Sequence, residues 1–232
     1  MTGRKKQIDK SILKVMHFEK ELARIQGVKS PPLEQSAKND KDYLEGGYLT
    51  ACLSVDALEL IQTELNMFKG ILKFLRGNRF KAFLTLRDCW KSYRKFERLI
   101  EKEPQEFDDD LKARVYFGLG IFQVLVSALP RSITTLMTLV GFSGNREKGK
   151  ENLNHCLQMR KARSPFAAMI LCLYHIDLDP DLDRVCAILK EYLDNFPHCA
   201  LFHWIASIVS WRFAQLDDAV FFINRALNKM DP

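Results

Sequence analysis

The sequence is poor in residues that interrupt helices, and no segment alternates polar and apolar residues as a half-buried β-strand does. Only 11 glycines and 8 prolines occur among 232 residues, mostly between apolar stretches, a distribution typical of helices joined by short loops. Hydrophobic residues make up 47% of the chain, which is too high a share for a disordered protein and is sufficient to bury a core in one or two domains. The sequence therefore predicts an all-α fold.

The chain also lacks a strong net charge and paired cysteines. Its formal charge of +6 is too small to require a nucleic acid or an anionic membrane as partner. The cysteines form no CxxC pair and mostly lie among apolar residues, which predicts reduced, buried thiols in a cytosolic or nuclear compartment. The N-terminal segment is basic without an apolar core, so no secretory signal is expected. The cysteines are Cys52, Cys89, Cys156, Cys172, Cys186 and Cys199.

Apolar residues recur at three- and four-residue spacings along most of the chain, as in amphipathic helices. We predict an N-terminal region, residues 1–42, that contains an amphipathic helix over 4–26 and a polar linker. A helical repeat domain is predicted over 43–232, and it begins with an antiparallel hairpin of two long helices. The helices of this domain are predicted at 43–75, 79–101, 111–129, 132–140, 146–161, 165–176, 182–195, 199–213 and 217–229, with Ser164 as the N-cap of the sixth.

The longest apolar stretch, Val115–Phe142, carries a single charge, Arg131. Its first part, Val115–Leu129, has 15 uncharged residues, fewer than the roughly 20 that span a bilayer. Gly118 and Gly120 permit close contact with another helix. We therefore predict a central helix buried within the protein. The alternative is shallow insertion into a membrane or docking on it, and we expect the protein to stay in the supernatant when it is centrifuged with anionic liposomes.

Three short motifs suggest chemistry but fail at positions that the chemistry requires. Residues 144–150 match the body of a phosphate-binding loop, yet Glu151 stands where a Ser or Thr would bind Mg²⁺. The alternating aspartates of 177–183 lack the glycine and the glutamate of a calcium loop. The pairs His155–Cys156 and His198–Cys199 lack the spacing of zinc ligands. We predict no cofactor, no metal and no small-molecule substrate.

Basic residues concentrate in the predicted first hairpin. Phe80, Trp90 and Tyr93 lie near them, a combination found in proteins that bind nucleic acid. The aromatic residues recur at core spacing, however, and Asp88 and Glu97 interrupt the positive charge. We therefore predict no nucleic-acid partner, and we interpret the charge instead as a solvated helix face or as a basic face that favours acidic proteins. This predicted basic face consists of Lys73, Arg76, Arg79, Lys91, Arg94 and Lys95.

Two sets of residues resemble known helical repeats. Ala206, Ser207, Ala219 and Ala226 have the spacing of the small residues at which the two helices of a tetratricopeptide repeat approach closely. The segments Phe117–Phe122, Ser127–Arg131 and Val140–Glu147, followed by Leu171–His175 and Tyr192–Pro197, resemble in their order the tetratricopeptide repeat protein 39 family, which includes the fungal inclusion body clearance proteins. The signature residues are Gly118, Gly120, Pro130, Gly141, Phe142, Ser143, Gly144, Asn145 and Arg146.

The resemblance implies stacked antiparallel helix pairs, as in a tetratricopeptide α-α superhelix, and a non-enzymatic cytoplasmic scaffold. Members of the family are longer, and some are linked to the mitochondrial outer membrane, nuclear receptors or clearance of aggregated protein. We predict an adaptor that binds other proteins across a broad helical surface, located in the cytoplasm, with the nucleus and the mitochondrial outer membrane surface as alternatives. The functional alternative is a peripheral protein at an organelle surface. An enzyme in which a cysteine acts with His175 or His203 ranks third.

Overall fold

The computed structural model describes residues 14, 15, 17, 55–127 and 144–228. All regular elements within these residues are α-helices, so the predicted all-α fold is confirmed. Most of the predicted N-terminal helix, the linker after it and the predicted 132–140 helix lie outside the described residues, although Lys14, Val15 and His17 are helical. The described helices are α1 (Val55–Leu75), α2 (Arg79–Lys102), α3 (Asp109–Ser127), α4 (Arg146–Gln158), α5 (Ser164–Asp177), α6 (Leu182–Asn195), α7 (Ala200–Arg212) and α8 (Leu216–Leu227).

The chain divides into two compact units, Met1–Glu101 and Lys102–Pro232. The first contains the α1–α2 hairpin, whose turn places Gly77 at φ 94°, a left-handed conformation that favours glycine. Two polar contacts fix the antiparallel register, because Lys95 lies 2.8 Å from Glu59 at one end and Lys73 donates a 3.0 Å hydrogen bond to Thr85 near the turn. The predicted domain boundary at 42/43 lies outside the described residues.

The second unit is an array in which each helix packs mainly against its neighbours in sequence. The pairs are α3/α4, α5/α6 and α7/α8, and their first helices also contact one another, α3 with α5 and α5 with α7. One continuous core runs through the array, from Ala113 on α3 through Leu171 on α5 and Val185 on α6 to Phe202 on α7. This order of contacts is that of a helical repeat array, in which each repeat stacks on the next.

The described part of the long apolar stretch, residues 115–127, lies in α3, and most of its residues are buried. Val115 and Leu119 are fully buried, and Gly118, Gly120 and Phe122 are buried with them. Leu125 and the partly buried Phe117 and Ile121 instead reach the surface. None of the helices in the described ranges combines the length and apolarity needed to cross a membrane.

Two details of the predicted helices are wrong. Ser164 is not the N-cap of α5 but its first residue. Its hydroxyl accepts a 2.9 Å hydrogen bond from the Lys161 amide and donates a 2.7 Å bond to the Cys156 carbonyl, so the side chain joins two helices. The helix predicted over 146–161 ends at Gln158, because Arg160 has φ 52°, and a left-handed residue ends an α-helix.

Candidate partner-binding surface

The outward side of α3 carries an apolar stripe. Phe117, Ile121 and Leu125 recur every four residues, so they lie on one face of the helix. Leu125 is exposed, whereas Phe117 and Ile121 are partly buried at the edge of the core. The opposite face of α3 holds the fully buried Leu119, so the core covers this stripe less completely than it covers that face.

The first helix of the next pair presents the same pattern beside it. Phe166, Ile170 and Leu173 follow one another at helical spacing on α5, with Phe166 exposed and the other two partly buried. The Phe166 ring lies 6.3 Å from the Phe117 ring of α3, centroid to centroid, at an angle of 55°, within the range of favourable aromatic pairs. The stripes of α3 and α5 are therefore parts of one surface.

The surface continues onto α7. Leu201 and Ile208 occupy its corresponding face, the first exposed and the second partly buried. Asp177 at the end of α5 accepts a 2.8 Å bond from Arg212 at the end of α7, which places the two helix ends together at the margin of the surface. We call this the first-helix surface. Its members are Phe117, Ile121, Leu125, Phe166, Ile170, Leu173, Leu201 and Ile208.

Glycines of the family signature set the distance between the helices behind this surface. A side chain at Gly120 of α3 would begin 2.7 Å from Cγ of the buried Leu153 on α4 and 3.1 Å from the Gly149 carbonyl. At this contact the buried Asn152 amide donates a 3.0 Å hydrogen bond to the Gln123 side-chain oxygen, which gives each of these buried side chains a partner. The two helices therefore approach as closely as their glycines permit.

Three further signature residues, Gly144, Asn145 and Arg146, lie at the start of α4. A side chain on Gly144 would begin 2.8 Å from Cγ1 of Val126. Asn145 is the N-cap of α4, and its side chain accepts a 3.0 Å hydrogen bond from the Lys148 amide. Arg146 donates a 3.4 Å bond to the Leu178 carbonyl. Pro130, Gly141, Phe142 and Ser143 lie outside the described residues.

The residues of the predicted basic face fall into two groups along the α1–α2 hairpin. Lys73, Arg76 and Arg79 lie at the turn, whereas Lys91, Arg94 and Lys95 follow 12 or more residues later on α2, a displacement of about 18 Å along a helix axis. Within these groups, Lys95 pairs with Glu59 and Arg94 with Glu97, so part of the charge is neutralised within the hairpin. Whether an acidic protein binds here stays a prediction.

The segment that resembles a phosphate-binding loop is helical. Lys150 lies within α4, where its ammonium group contacts Glu147 at 2.9 Å and Asp179 at 3.2 Å. These two hydrogen bonds raise the pKa of Lys150. An open cavity of about 430 Å³ adjoins it, but its charges pair with one another, since Lys148 also pairs with Glu151 at 3.3 Å. An anion would have to displace these carboxylates.

The aspartates at and after the end of α5 form ion pairs and a helix cap within the fold. Asp177 pairs with Arg212, Asp179 pairs with Lys150, and Asp181 accepts a 3.0 Å bond from the Arg184 amide as the N-cap of α6. Across the described ranges, no group of three or more His, Cys, Asp and Glu side chains is placed to hold a metal ion.

Three described thiols are held in their protonated form. Burial raises the pKa of Cys89, of Cys156 and of Cys172 to about 12. Because the thiolate is the reactive form of cysteine, these residues are weak nucleophiles at neutral pH. Cys186 is exposed, and partial desolvation also raises its pKa.

The first-helix surface was not identified from the sequence. The apolar residues of α5 and α7 occur on nearly all sides of these helices, so periodicity does not separate a buried face from a surface stripe. The spacing of Phe166, Ile170 and Leu173 was the available signal, and it matches an ordinary core stripe equally well.

Comparison with known proteins agrees with this architecture. The model of the Iml2/Tetratricopeptide repeat protein 39 family matches residues 50–231. Tetratricopeptide repeat protein ttc-39B of Caenorhabditis elegans is 25% identical over 192 residues, an alignment that covers 75% of this chain and 33% of that protein. The chain thus spans about a third of the length of this relative. No solved structure matches the chain. The family match covers most of the chain, including all eight described helices, and the chain belongs to the Iml2/tetratricopeptide repeat protein 39 family.

Proposed function

We propose that the protein is a non-enzymatic scaffold that binds other proteins through the first-helix surface. The observation that carries the proposal is the alignment of three apolar stripes, on α3, α5 and α7, into one surface. Exposed apolar side chains adjacent to one another mark protein contact sites more often than scattered ones do. Leu125, Phe166 and Leu201 are each between 44% and 53% exposed, so they retain much apolar area that a partner can cover.

The polar groups around this surface indicate the kind of segment that fits it. The Arg163 guanidinium lies 6.0 Å above the Phe166 ring, and the Asp177–Arg212 pair lies at the other end of α5. A partner segment with several apolar side chains, bordered by polar or charged residues, would match a surface that is apolar in the middle and charged at its ends. Family membership supports a helical-repeat scaffold and does not identify the partner.

The proposal is tested with a variant that carries both Phe166→Glu and Leu173→Glu. Placing two carboxylates in an apolar contact should weaken binding at least about tenfold, since the residues that dominate binding cluster near the centre of an interface and their truncation costs about 2 kcal/mol or more. Partners are recovered by crosslinking in cells and compared with those of the wild-type protein. The expected result is loss of a defined set of proteins.

The matched control carries Ala187→Glu and Lys190→Glu on the exposed side of α6, away from the first-helix surface. Circular dichroism establishes that both variants remain helical. Equal recovery of every partner by the wild type and the Phe166/Leu173 variant would refute binding at this surface, as would equal losses in both variants.

A further inference from the structure

The net positive charge of the protein lies around the turn of the α1–α2 hairpin. Residues 65–87 contain six basic residues and no acidic residue. Because the formal charge of the whole chain is also +6, the remaining residues carry equal numbers of basic and acidic side chains. The excess charge is therefore concentrated in one segment and is not spread over the chain. Its basic residues are Lys69, Lys73, Arg76, Arg79, Lys81 and Arg87.

Two large apolar side chains are exposed at the same end of the hairpin. Leu75, the last residue of α1, is 61% exposed, and Phe80, the second residue of α2, is 74% exposed. Helical side chains are tilted towards the N-terminus of their helix, so Phe80 is tilted towards the turn. Cys89, nine residues further along and therefore on the opposite side of α2, is buried. Phe80 thus does not belong to the core of the hairpin.

The basic side chains nearest the turn lie beside these two residues. Arg76, Arg79 and Lys81 are exposed, and the first turn of α2 contains no acidic residue that would neutralise them. All five side chains lie within about one helical turn of the point where the two helices meet. We call Leu75, Arg76, Arg79, Phe80 and Lys81 the hairpin end.

The hairpin end is convex, because its apolar side chains point away from the contact between the helices. At that contact, a side chain on Gly70 of α1 would begin 2.6 Å from Leu86 of α2. Leu75 lies about 140° around α1 from Gly70. Phe80 lies about 120° around α2 from Leu86. A rigid protein would need separate pockets to cover both apolar side chains, whereas a fluid lipid surface adapts to a convex end.

The mixture of basic and apolar side chains matches the layers of an anionic membrane surface. Lys and Arg near such a surface are attracted to the negative headgroups. Apolar side chains beside them can enter the boundary between the headgroups and the acyl chains. The hairpin end offers both groups within eight residues, from Phe74 to Lys81.

We propose that the hairpin end docks on an anionic membrane surface, with its three basic residues among the headgroups and Leu75 and Phe80 inserted beside them. From the long apolar stretch alone we expected the protein to stay in the supernatant with anionic liposomes. The hairpin end lies outside that stretch and provides a different contact, so the proposal reverses this expectation. It leaves the first-helix surface, on the second unit, available to protein partners.

Co-sedimentation of the full chain with vesicles tests the proposal. The protein should bind vesicles of phosphatidylcholine that contain about 30% phosphatidylserine, and at least about tenfold more weakly to phosphatidylcholine alone. High salt should release it, because salt screens the attraction between surface charges. Leu75→Ser combined with Phe80→Ser should weaken binding at least about tenfold, because the apolar area buried in the membrane is lost.

A second pair of variants tests the contribution of charge. Arg79→Glu combined with Lys81→Glu should weaken binding at least about tenfold. The matched control, Lys91→Glu combined with Arg98→Glu, changes the net charge equally at exposed positions of α2. These positions lie about 18 Å and 28 Å along the helix from Arg79, beyond the screening length of about 8–10 Å. The control should therefore bind as the wild type does, and circular dichroism establishes that all variants are folded.

Three results would overturn the proposal. The first is a wild-type protein that stays in the supernatant with the anionic vesicles. The second is vesicle binding that the serine and glutamate variants of the hairpin end leave intact, or that the matched control loses equally. The third is an acidic protein as the occupant, which would appear as binding of polyglutamate through Arg79 and Lys81 without binding of the vesicles.

Discussion

Buried thiols are the residues whose chemistry the fold changes most. Cys156 and Cys172 are fully buried and have pKa values of about 12. A catalytic cysteine requires the opposite change, a lowered pKa in an accessible position. The sequence suggested His175 as a partner for a catalytic cysteine. Its Nδ1 lies 3.1 Å from the carbonyl oxygen of Asp179, two residues beyond the end of α5. Buried thiols and a histidine that bonds a backbone carbonyl are typical of residues that stabilise helix packing.

The raised pKa of Cys172 predicts how stability depends on pH. The folded state holds the thiol proton more tightly than the unfolded state, in which the pKa is about 9.0. This contribution is complete below pH 9 and is lost as the pH rises towards 12. Between pH 8 and pH 10 the wild-type unfolding free energy should fall by about 1.4 kcal/mol more than that of Cys172→Ala. Urea unfolding at the two pH values measures the difference.

Cys186→Ala is the control for this measurement. Its thiol is exposed and keeps most of its hydration in the folded state, so removing it should change the pH dependence less than removing Cys172 does. If both variants lose stability in parallel with the wild type between pH 8 and pH 10, burial does not raise the pKa of Cys172.

At the scale of elements, the distance between α3 and α4 depends on Gly120. A methyl group there would begin 2.7 Å from Leu153 Cγ and 3.1 Å from the Gly149 carbonyl. Leu153 is fully buried, so it has little space to move, and the helices must separate instead. Overpacking of this kind costs about 1–3 kcal/mol, of which the better helix propensity of alanine offsets up to about 1 kcal/mol. We predict that Gly120→Ala lowers the midpoint of thermal unfolding.

Gly70→Ala provides a matched comparison within α1. Its methyl group would also begin close to another side chain, 2.6 Å from Cδ2 of Leu86. Leu86 is only partly buried, however, and its side chain can turn away. Gly70→Ala should therefore change the midpoint less than Gly120→Ala does. A Gly120→Ala variant as stable as the wild type would show that the α3–α4 distance is not limited at this residue.

Local sequence signals predicted where the helices begin and end better than they predicted which residues pack around each helix. The bounds of α6, 182–195, match the structure because Asp181 is a strong N-cap and apolar residues recur on one face up to Tyr192. Ser164 has the composition of an N-cap, but its hydroxyl bonds the Cys156 carbonyl eight residues earlier, a contact that depends on tertiary packing. Likewise, whether Phe166 lies in the core or at the surface depends on which helices pack against α5.

At the scale of the molecule, the second unit is held together by contacts between neighbouring helix pairs. Since α8 packs almost entirely against α7, and α7 connects it to α5 and α6, the stability of this unit should be distributed along the array. Repeat arrays behave as linear sums of repeat and interface energies, and their parts open separately in hydrogen exchange. Damage at one end is therefore expected to remain near that end.

Ala226 allows a direct test of this expectation. It is 2% exposed at the α7–α8 contact, so Ala226→Glu places a carboxylate in an apolar environment at a cost of several kcal/mol. Hydrogen exchange measured by mass spectrometry should show loss of amide protection across 200–227 and retained protection across 111–176. Asn224→Glu, on the exposed side of the same helix, should leave both regions protected. If Ala226→Glu removed protection from α3 and α4 as well, the unit would unfold as one cooperative body, because neighbour contacts alone cannot carry the loss across the intervening pair.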